Sequence, residues 1–489
     1  MNPLARAFGF LHWIGISHYL NLLLVGFMVR SGLEILSAHP KLYWRDHCQP
    51  GSEWLRLSRK KMPTDRLWTG ADEETSFSPL IALPGRRNLG MGRHWHFFSA
   101  IFWVANGFIY VALLFGTGDW RRLVPRSWSV FSEAAHDAWT YLHFQAPPPG
   151  HPYNAIQQLT YAGVVFVLAP ILMLTGAAMS PALAARYPWY LRLFGGRQPA
   201  RSIHFLSLVA IVGFTIVHVL LVAVEDFPRN MAWIIHGHDS SERVAVWIGL
   251  AGLVVVLALH VWATLFSLRH RRAVQRRLGW IIEPVRRALL HHLTSRQRYT
   301  KDDLSPFFRV NGYPPASPEY QRLADHGFVD WRLSVAGLVG APLELSLSDL
   351  RALPPRSQIT KHHCIQGWSA VAEWTGVAVA DVLDRCRPLA KARYVVFRGF
   401  DERDGRGYYE TIDLALARQR QTILAYDMNG APLPIPHGAP CRLRVETQLG
   451  FKMVKYIRSM ELVDDYRQLG EGQGGFREDT QFYGSEAGI

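Results

Sequence analysis

Cysteine is scarce: there are four in 489 residues, at positions 48, 364, 386 and 441, and no two form a C-x-x-C pair. That spacing excludes a disulfide framework, and the thiols are expected to be reduced. Charged residues are also sparse, at 19%, and lopsided: 53 Lys and Arg against 39 Asp and Glu give a formal net charge of +14. A basic excess can mark a nucleic-acid binder, but here the arginines gather at the ends of apolar runs. That placement speaks for membrane anchoring and against a nucleic-acid partner. No cleavable signal peptide precedes the first apolar run.

A mean hydropathy of +0.01 averages two unlike halves. Spanning a bilayer takes about 20 apolar residues, and five segments before residue 267 qualify. They are 14–36, 95–115, 157–179, 203–224 and 243–266, predicting an all-α bundle of five transmembrane helices over residues 1–267. The segment "WSVFSEAAHDAWTYLHF" (128–144) is too polar to span and is expected to lie along the lipid interface. An odd number of spans puts the two ends of the bundle on opposite faces. One face carries Arg6, Arg121, Arg122, Arg126, Arg229 and Arg243. The other carries many more, including Lys60, Lys61, Arg86, Arg87, Arg192, Arg197 and the "RHRRAVQRRLGW" stretch. The positive-inside rule therefore predicts a cytoplasmic C-terminal half in a multi-pass membrane protein.

A histidine inside an apolar span is costly without a partner. His204 and His218, both in the fourth span, are 14 residues apart, about 21 Å along one helical face. His96 in the second span matches the depth of His204, and His18 in the first matches His218. Two such pairs suit two b-type haems stacked across the bilayer, each iron held by two imidazoles. His12, His94 and His260 lie close enough to compete for a place. The alternative is that all four are satisfied polar residues of the bundle. Residues 10–240 resemble the bacterial di-haem cytochrome b family that includes formate dehydrogenase gamma subunits and nickel–iron hydrogenase cytochromes. The resemblance rests on "SHYLN", "GRHWHF", "RSIHF", "VHVLL" and "MAWIIHG". It implies the bacterial inner membrane and haem ligation by His18, His96, His204 and His218. Members of that family usually keep the N-terminus in the cytoplasm, which implies a periplasmic C-terminal half, the reverse of what charge predicts.

A basic stretch over 268–299 reads as a linker. From 300 to 489 the pattern turns to strands and Gly/Pro-rich turns, predicting an α+β domain. Within it, "TKHHCIQGWSAVAEWTGV" isolates Cys364 between two histidines and a tryptophan. Zinc is a weak reading, because His362 and His363 are adjacent and no second cysteine stands near. A Cys–His hydrolase and an inert core thiol are the other readings. Four ordered motifs, "FFRVNGYPP", "WRLSVAGLV", "HHCIQGWSAVAEWTGV" and "ILAYDMNGAPLPIPHGAPCRLRVETQLGFKMVKYI", resemble the sulfite oxidase family of molybdopterin enzymes, which includes the bacterial methionine-sulfoxide-reductase catalytic subunit.

That resemblance implies a sulfite oxidase-type fold with Cys364 as the thiolate on molybdenum. It implies pterin and phosphate contacts from Asn311, His437, Arg442, Gly450, Lys452 and Lys455. Lys361, His362 and His363 are expected to lower the thiol pKa. Trp368 and Trp374 either line the pocket or belong to the core. The "IQGWS" after the cysteine departs from the asparagine–arginine pair of sulfite oxidases and plant nitrate reductases. The whole chain then reads as a membrane-bound molybdenum oxidoreductase with molybdopterin and two b haems. It is expected to exchange electrons with a quinone and to transfer an oxygen atom to or from a small molecule. S-oxide reduction is favoured over oxidation of sulfite or another small sulfur compound. The non-enzymatic alternative is an electron-carrying cytochrome with a docking domain.

Overall fold

The computed structural model describes residues 12–145, 147–148, 153–236, 242–290, 298–403 and 405–484. Among these residues five helices are long and apolar enough to cross a membrane: α1 (His12–Ser37), α2 (Leu89–Thr117), α3 (Ala155–Ala178), α4 (Arg197–Val224) and α5 (Glu242–Arg269). Each covers its expected span, except that α3 stops one residue short of 179. α2 and α4 start six residues earlier than hydropathy alone predicts, because polar residues carry the helix into the loops. α3 holds one π-helical stretch, Val164–Leu168, just before Pro170. Proline has no backbone N–H to give to the preceding turn, and a local widening is a common accommodation. Apolar side chains such as Leu220 and Val254 stay exposed on the bundle, as lipid-facing groups do. Ser129–Leu142 forms a separate helix with Trp128, Phe131, Trp139 and Leu142 exposed, which suits the interface.

The stretch that reads as a linker is, over Arg271–Leu290, a further helix. Val274, Leu278 and Ile282 recur every four residues and pack against Phe27, Trp95 and Ala263 of the bundle.

The C-terminal half builds two five-stranded sheets from ten strands. These are β1 (Arg332–Gly337), β2 (Leu343–Ser346), β3 (Pro355–His363), β4 (Ser369–Ala378), β5 (Tyr394–Arg403), β6 (Arg406–Asp413), β7 (Thr422–Met428), β8 (Ala431–Pro432), β9 (Arg442–Val445) and β10 (Ile457–Val463). One sheet runs β2-β1-β10-β5-β6, with β10 parallel to β1 and the other pairs antiparallel. The second runs β8-β7-β4-β3, and β9 also pairs with β7. Trp331, Val335, Val395, Phe397, Leu443, Tyr456 and Met460 form the core between them. The fold is all-α in the bundle and α+β beyond it.

The loop between α1 and α2 lies against the soluble half. Glu73 is buried among His39, Lys41 and Arg309, and Arg309 also donates to Tyr43 Oη and the Cys48 carbonyl, both at 2.9 Å. Burial alone would raise the Glu73 carboxyl, but the hydrogen bond from His39 and the charges of Arg309 and Lys41 hold it down to about 2.

Candidate functional site

Cys364 sits at the tip of the β3–β4 hairpin, where His363 faces Ser369 and five residues make the turn. Gly367 takes a positive φ of 108°, its N–H donates to the Cys364 carbonyl at 3.1 Å, and Cys364 N–H donates to Trp368 O at 3.1 Å. The thiol is 1% exposed. Its hydrogen-bond partners are two amides: Asn311 Nδ2 at 3.6 Å and Gln366 Oε1 at 3.5 Å. No imidazole takes that place, so the Cys–His hydrolase reading has no dyad. Among the described residues no three His, Cys, Asp or Glu side chains converge, so a zinc site built from protein ligands is not formed either.

The expected lowering of the thiol pKa is not what the structure gives. Burial raises Cys364 to about 12, against weaker help from the Gln366 backbone and from Arg477 and Arg197. Lys361 is spent on Asp46 at 2.6 Å. His362 and His363 are driven well below the ordinary imidazole range, by burial first and by neighbouring cations second, so both are neutral. A bare thiol here stays protonated, and only a metal that replaces the proton makes it a thiolate.

Around this turn lies a cradle. The Phe308 ring stands 5.5 Å from His362, 5.5 Å from Trp374, 5.4 Å from His437 and 6.1 Å from Trp368. Arg442 donates to the His437 carbonyl at 2.8 Å and lies 4.8 Å over Trp374. Lys455 donates to the Pro436 carbonyl at 3.0 Å. His437 is pushed down to about 3 by burial and then by Arg442 and Lys455. Arg442 is pushed down to about 9 by burial and then by Arg444. Mutually repelling cations held out of water call for an anion. Among the described residues, Arg442 Nε, Asp401 Oδ1 and His363 Nδ1 are buried without hydrogen-bond partners, as expected where a polar ligand completes the shell. Gly438, at a φ of 117°, keeps the backbone close: a Cβ there would stand 3.0 Å from the Lys455 side chain. These residues fit a phosphate-bearing pterin, which would lie among Phe308, His437, Arg442, Lys455 and Asp401.

Two expected members lie elsewhere. Lys452 is buried, gives hydrogen bonds or ion pairs to Glu410, Glu478 and the Thr411 carbonyl, and so has no N–H left for a phosphate. Lys452→Met is expected to destabilise the soluble half by about 3–5 kcal/mol, since two buried carboxylates lose their cation. Thermal unfolding reads this, with molybdenum content per folded chain unchanged. Gly450 packs against His362, whose ring a Cβ would overlap. Asp401, Phe308 and Gln366 were not singled out by the sequence. Gln366 donates to Glu74 of the α1–α2 loop at 2.7 Å, a contact across 292 residues that no local pattern announces.

In the bundle, the four expected ligands each have the ring nitrogen Nδ1 at an oxygen, as does His94, at 2.8 Å from Gly90 O. His18 Nδ1 donates to Ile14 O at 2.9 Å. Ser31 gives its hydrogen to Phe27 O, so it accepts from His96 Nδ1 at 3.1 Å. Thr175 gives its hydrogen to Ile171 O and accepts from His204 Nδ1 at 3.0 Å. His218 Nδ1 lies 3.5 Å from Tyr161 Oη. Such anchoring leaves Nε2 as a lone-pair donor for iron. His96 lies within electrostatic range of His204, and His18 of His218. His260 is built the opposite way: Arg30, which only donates, stands 3.2 Å from its Nδ1. Its hydrogen is therefore on Nε2, which faces Gly26. His94 lies two residues from His96, about 200° round the helix. The side chain of His12 lies outside the described residues.

Residues 10–237 match the family described as prokaryotic cytochrome b561, and residues 321–469 match the oxidoreductase molybdopterin-binding domain. The chain is 33% identical over 204 residues to a putative protein-methionine-sulfoxide reductase subunit, YedZ1, of Azospira oryzae, covering 42% of this chain and 69% of that one. The chain belongs to the cytochrome b561 family, fused to a molybdopterin oxidoreductase domain. It is a multi-pass membrane enzyme whose cofactors are molybdopterin and haem b. It is also 35% identical over 145 residues to the protein-methionine-sulfoxide reductase catalytic subunit MsrP of Xanthomonas axonopodis pv. citri, covering 27% of this chain and 45% of that relative. The match thus spans under half of the catalytic subunit's length. A likeness to the sulfane dehydrogenase SoxCD of Paracoccus pantotrophus, at 23% identity and a TM-score of 0.27 over 31% of this chain and 41% of that one, is too slight to bear on the fold.

Proposed function

We propose that this enzyme reduces a small S-oxide with electrons from quinol, passed through two b haems at His18/His218 and His96/His204. The molybdenum centre supplies oxygen-atom transfer when bound. Cys364 is its protein ligand, and Asn311 and Gln366 hold that sulfur in place. Arg442 and Lys455 neutralise the pterin phosphate, His437 stands beside it as a neutral imidazole, and Asp401 offers an acceptor. The observation that carries the reading is the cradle itself: a buried thiol flanked by unpaired polar atoms and mutually repelling cations. The direction of reaction is supported by relatives named as sulfoxide reductases and by the absence of the asparagine–arginine pair after the cysteine. Residues 1–267 serve as the cytochrome and 300–489 as the molybdenum domain, with 268–299 joining them. The excess of Lys and Arg on their shared face supports a cytoplasmic molybdenum domain.

Metal analysis of detergent-purified protein is expected to find about one molybdenum and two irons per chain. Added to protein with reduced haems, a small S-oxide is expected to reoxidise them. Haems that stay reduced with the oxide, but that sulfite reduces from the ferric state, would reverse the assigned direction.

A further inference from the structure

The turn that carries Cys364 touches the cytochrome directly. Gln198 Nε2 donates to the Gly367 carbonyl at 2.9 Å, and Arg197 Nη1 donates to the same oxygen at 3.3 Å. Both residues open α4, and both are buried, Gln198 completely. His204 follows Gln198 by six residues on the same helix, about 9 Å along its axis. On the other side of the contact, Gly367 N–H donates to the Cys364 carbonyl. One hydrogen-bonded carbonyl therefore separates the chain segment of the proposed molybdenum ligand from that of a proposed haem ligand.

The contact is braced on several sides. Asp46 accepts from Gln198 N–H at 2.7 Å and from Lys361 at 2.6 Å, tying the α1–α2 loop to both α4 and β3. Arg201, one turn along α4, donates to the His39 and Lys41 carbonyls at 2.6 and 2.9 Å. Trp54 donates to Ser202 at 2.9 Å. Lys41 and His39 lead to Glu73 and so to Arg309 of the soluble half. A buried polar network with ties on this many sides opposes separation, because parting it would leave charges unpaired.

We propose that electrons cross between the two halves at this fixed junction, with Gln198 and Arg197 as positioning residues and the α1–α2 loop as the clamp that keeps it closed. The proposal rests on the reading of Cys364 and His204 as metal ligands. Each crossing takes one electron from a ferrous haem, which becomes ferric. Two crossings and two protons convert the S-oxide to its thioether and water, and quinol, oxidised to quinone, replaces the electrons.

The test uses the full chain loaded with both metals and needs no substrate. A photoexcited flavin delivers one electron to the haems. Its passage to molybdenum is read as haem reoxidation in absorbance and as Mo(V) in freeze-quenched electron paramagnetic resonance. Gln198→Leu is expected to slow that passage by about tenfold, the scale on which small misplacements are felt, with haem spectrum and midpoint potentials unchanged. Cys386→Ser, whose thiol bonds to Leu383 O within its own helix, is expected to leave the rate as it was. Added glycerol is expected to have no effect on the wild-type rate. A wild-type rate in Gln198→Leu overturns the junction, and so does a rate that falls in proportion to viscosity, the mark of a swinging domain. Should Gln198→Leu fail to assemble, the viscosity series decides. An electron that never reaches molybdenum in fully loaded wild-type protein would instead overturn the coupling on which the junction rests.

Discussion

Cys364→Ser is expected to yield a folded, haem-loaded membrane protein without molybdenum and without turnover. Serine is close to cysteine in volume, and the site asks little of the side chain beyond two weak contacts to Asn311 and Gln366. The fold therefore has no reason to change. The chemistry does: an alkoxide is a far poorer partner than a soft thiolate for a metal already held by dithiolene sulfur. Molybdenum content is expected to fall from about one per chain to near zero, while the haem absorbance stays intact. Cys386→Ser is the control, since that thiol is buried and bonded to Leu383 O within its own helix. It is expected to keep molybdenum. Turnover that survives in Cys364→Ser would favour the docking-domain reading and end the catalytic one.

His204→Ala is expected to remove one haem of two. Iron should drop by about half, and the remaining haem should keep its bis-imidazole spectrum. The hydroxyl behind the ring is expected to matter as well. Thr175→Val deletes the acceptor at His204 Nδ1, and the loss of such an orienting partner typically costs about 10–100-fold in metal affinity. Haem retained at reduced occupancy, or a shifted midpoint potential, is the measurement. His260→Ala is expected to leave both haems in place because Arg30 holds that ring in the opposite tautomer. A chain that loses a haem with His260→Ala and keeps both with His204→Ala would overturn the pairing.

The candidate ligands could be picked out before any fold was known, and the reason is local. Histidines interrupting an apolar span announce themselves by cost, and 14 residues on one helix fix both depth and face. Cys364 stood out because its neighbours follow a motif. The lysines did not separate in this way. Lys452 and Lys455 lie three residues apart in "GFKMVK", yet one is locked to Glu410 and Glu478 and the other reaches the Pro436 carbonyl beside Arg442. Nothing in the sequence near them says that carboxylates come from β6 and from the helix Phe476–Gln481. The thiol pKa departs from expectation for a similar reason. The sequence shows cationic neighbours along the chain, but neither the Asp46 that takes up Lys361 nor the depth of burial.

The sequence alone determined the two halves, the number of spans and the motifs that carry the family, because hydropathy, periodicity and short motifs act over a few turns or strands. It also predicted the matched depths of the histidine pairs. Which groups face one another across the chain was decided only by the tertiary structure. Gln198 and Gly367 are 169 residues apart, and Glu73 and Arg309 are 236 apart. Such pairs arise from how helices and sheets pack, and burial then converts an ordinary charge or amide into a group that must find a partner.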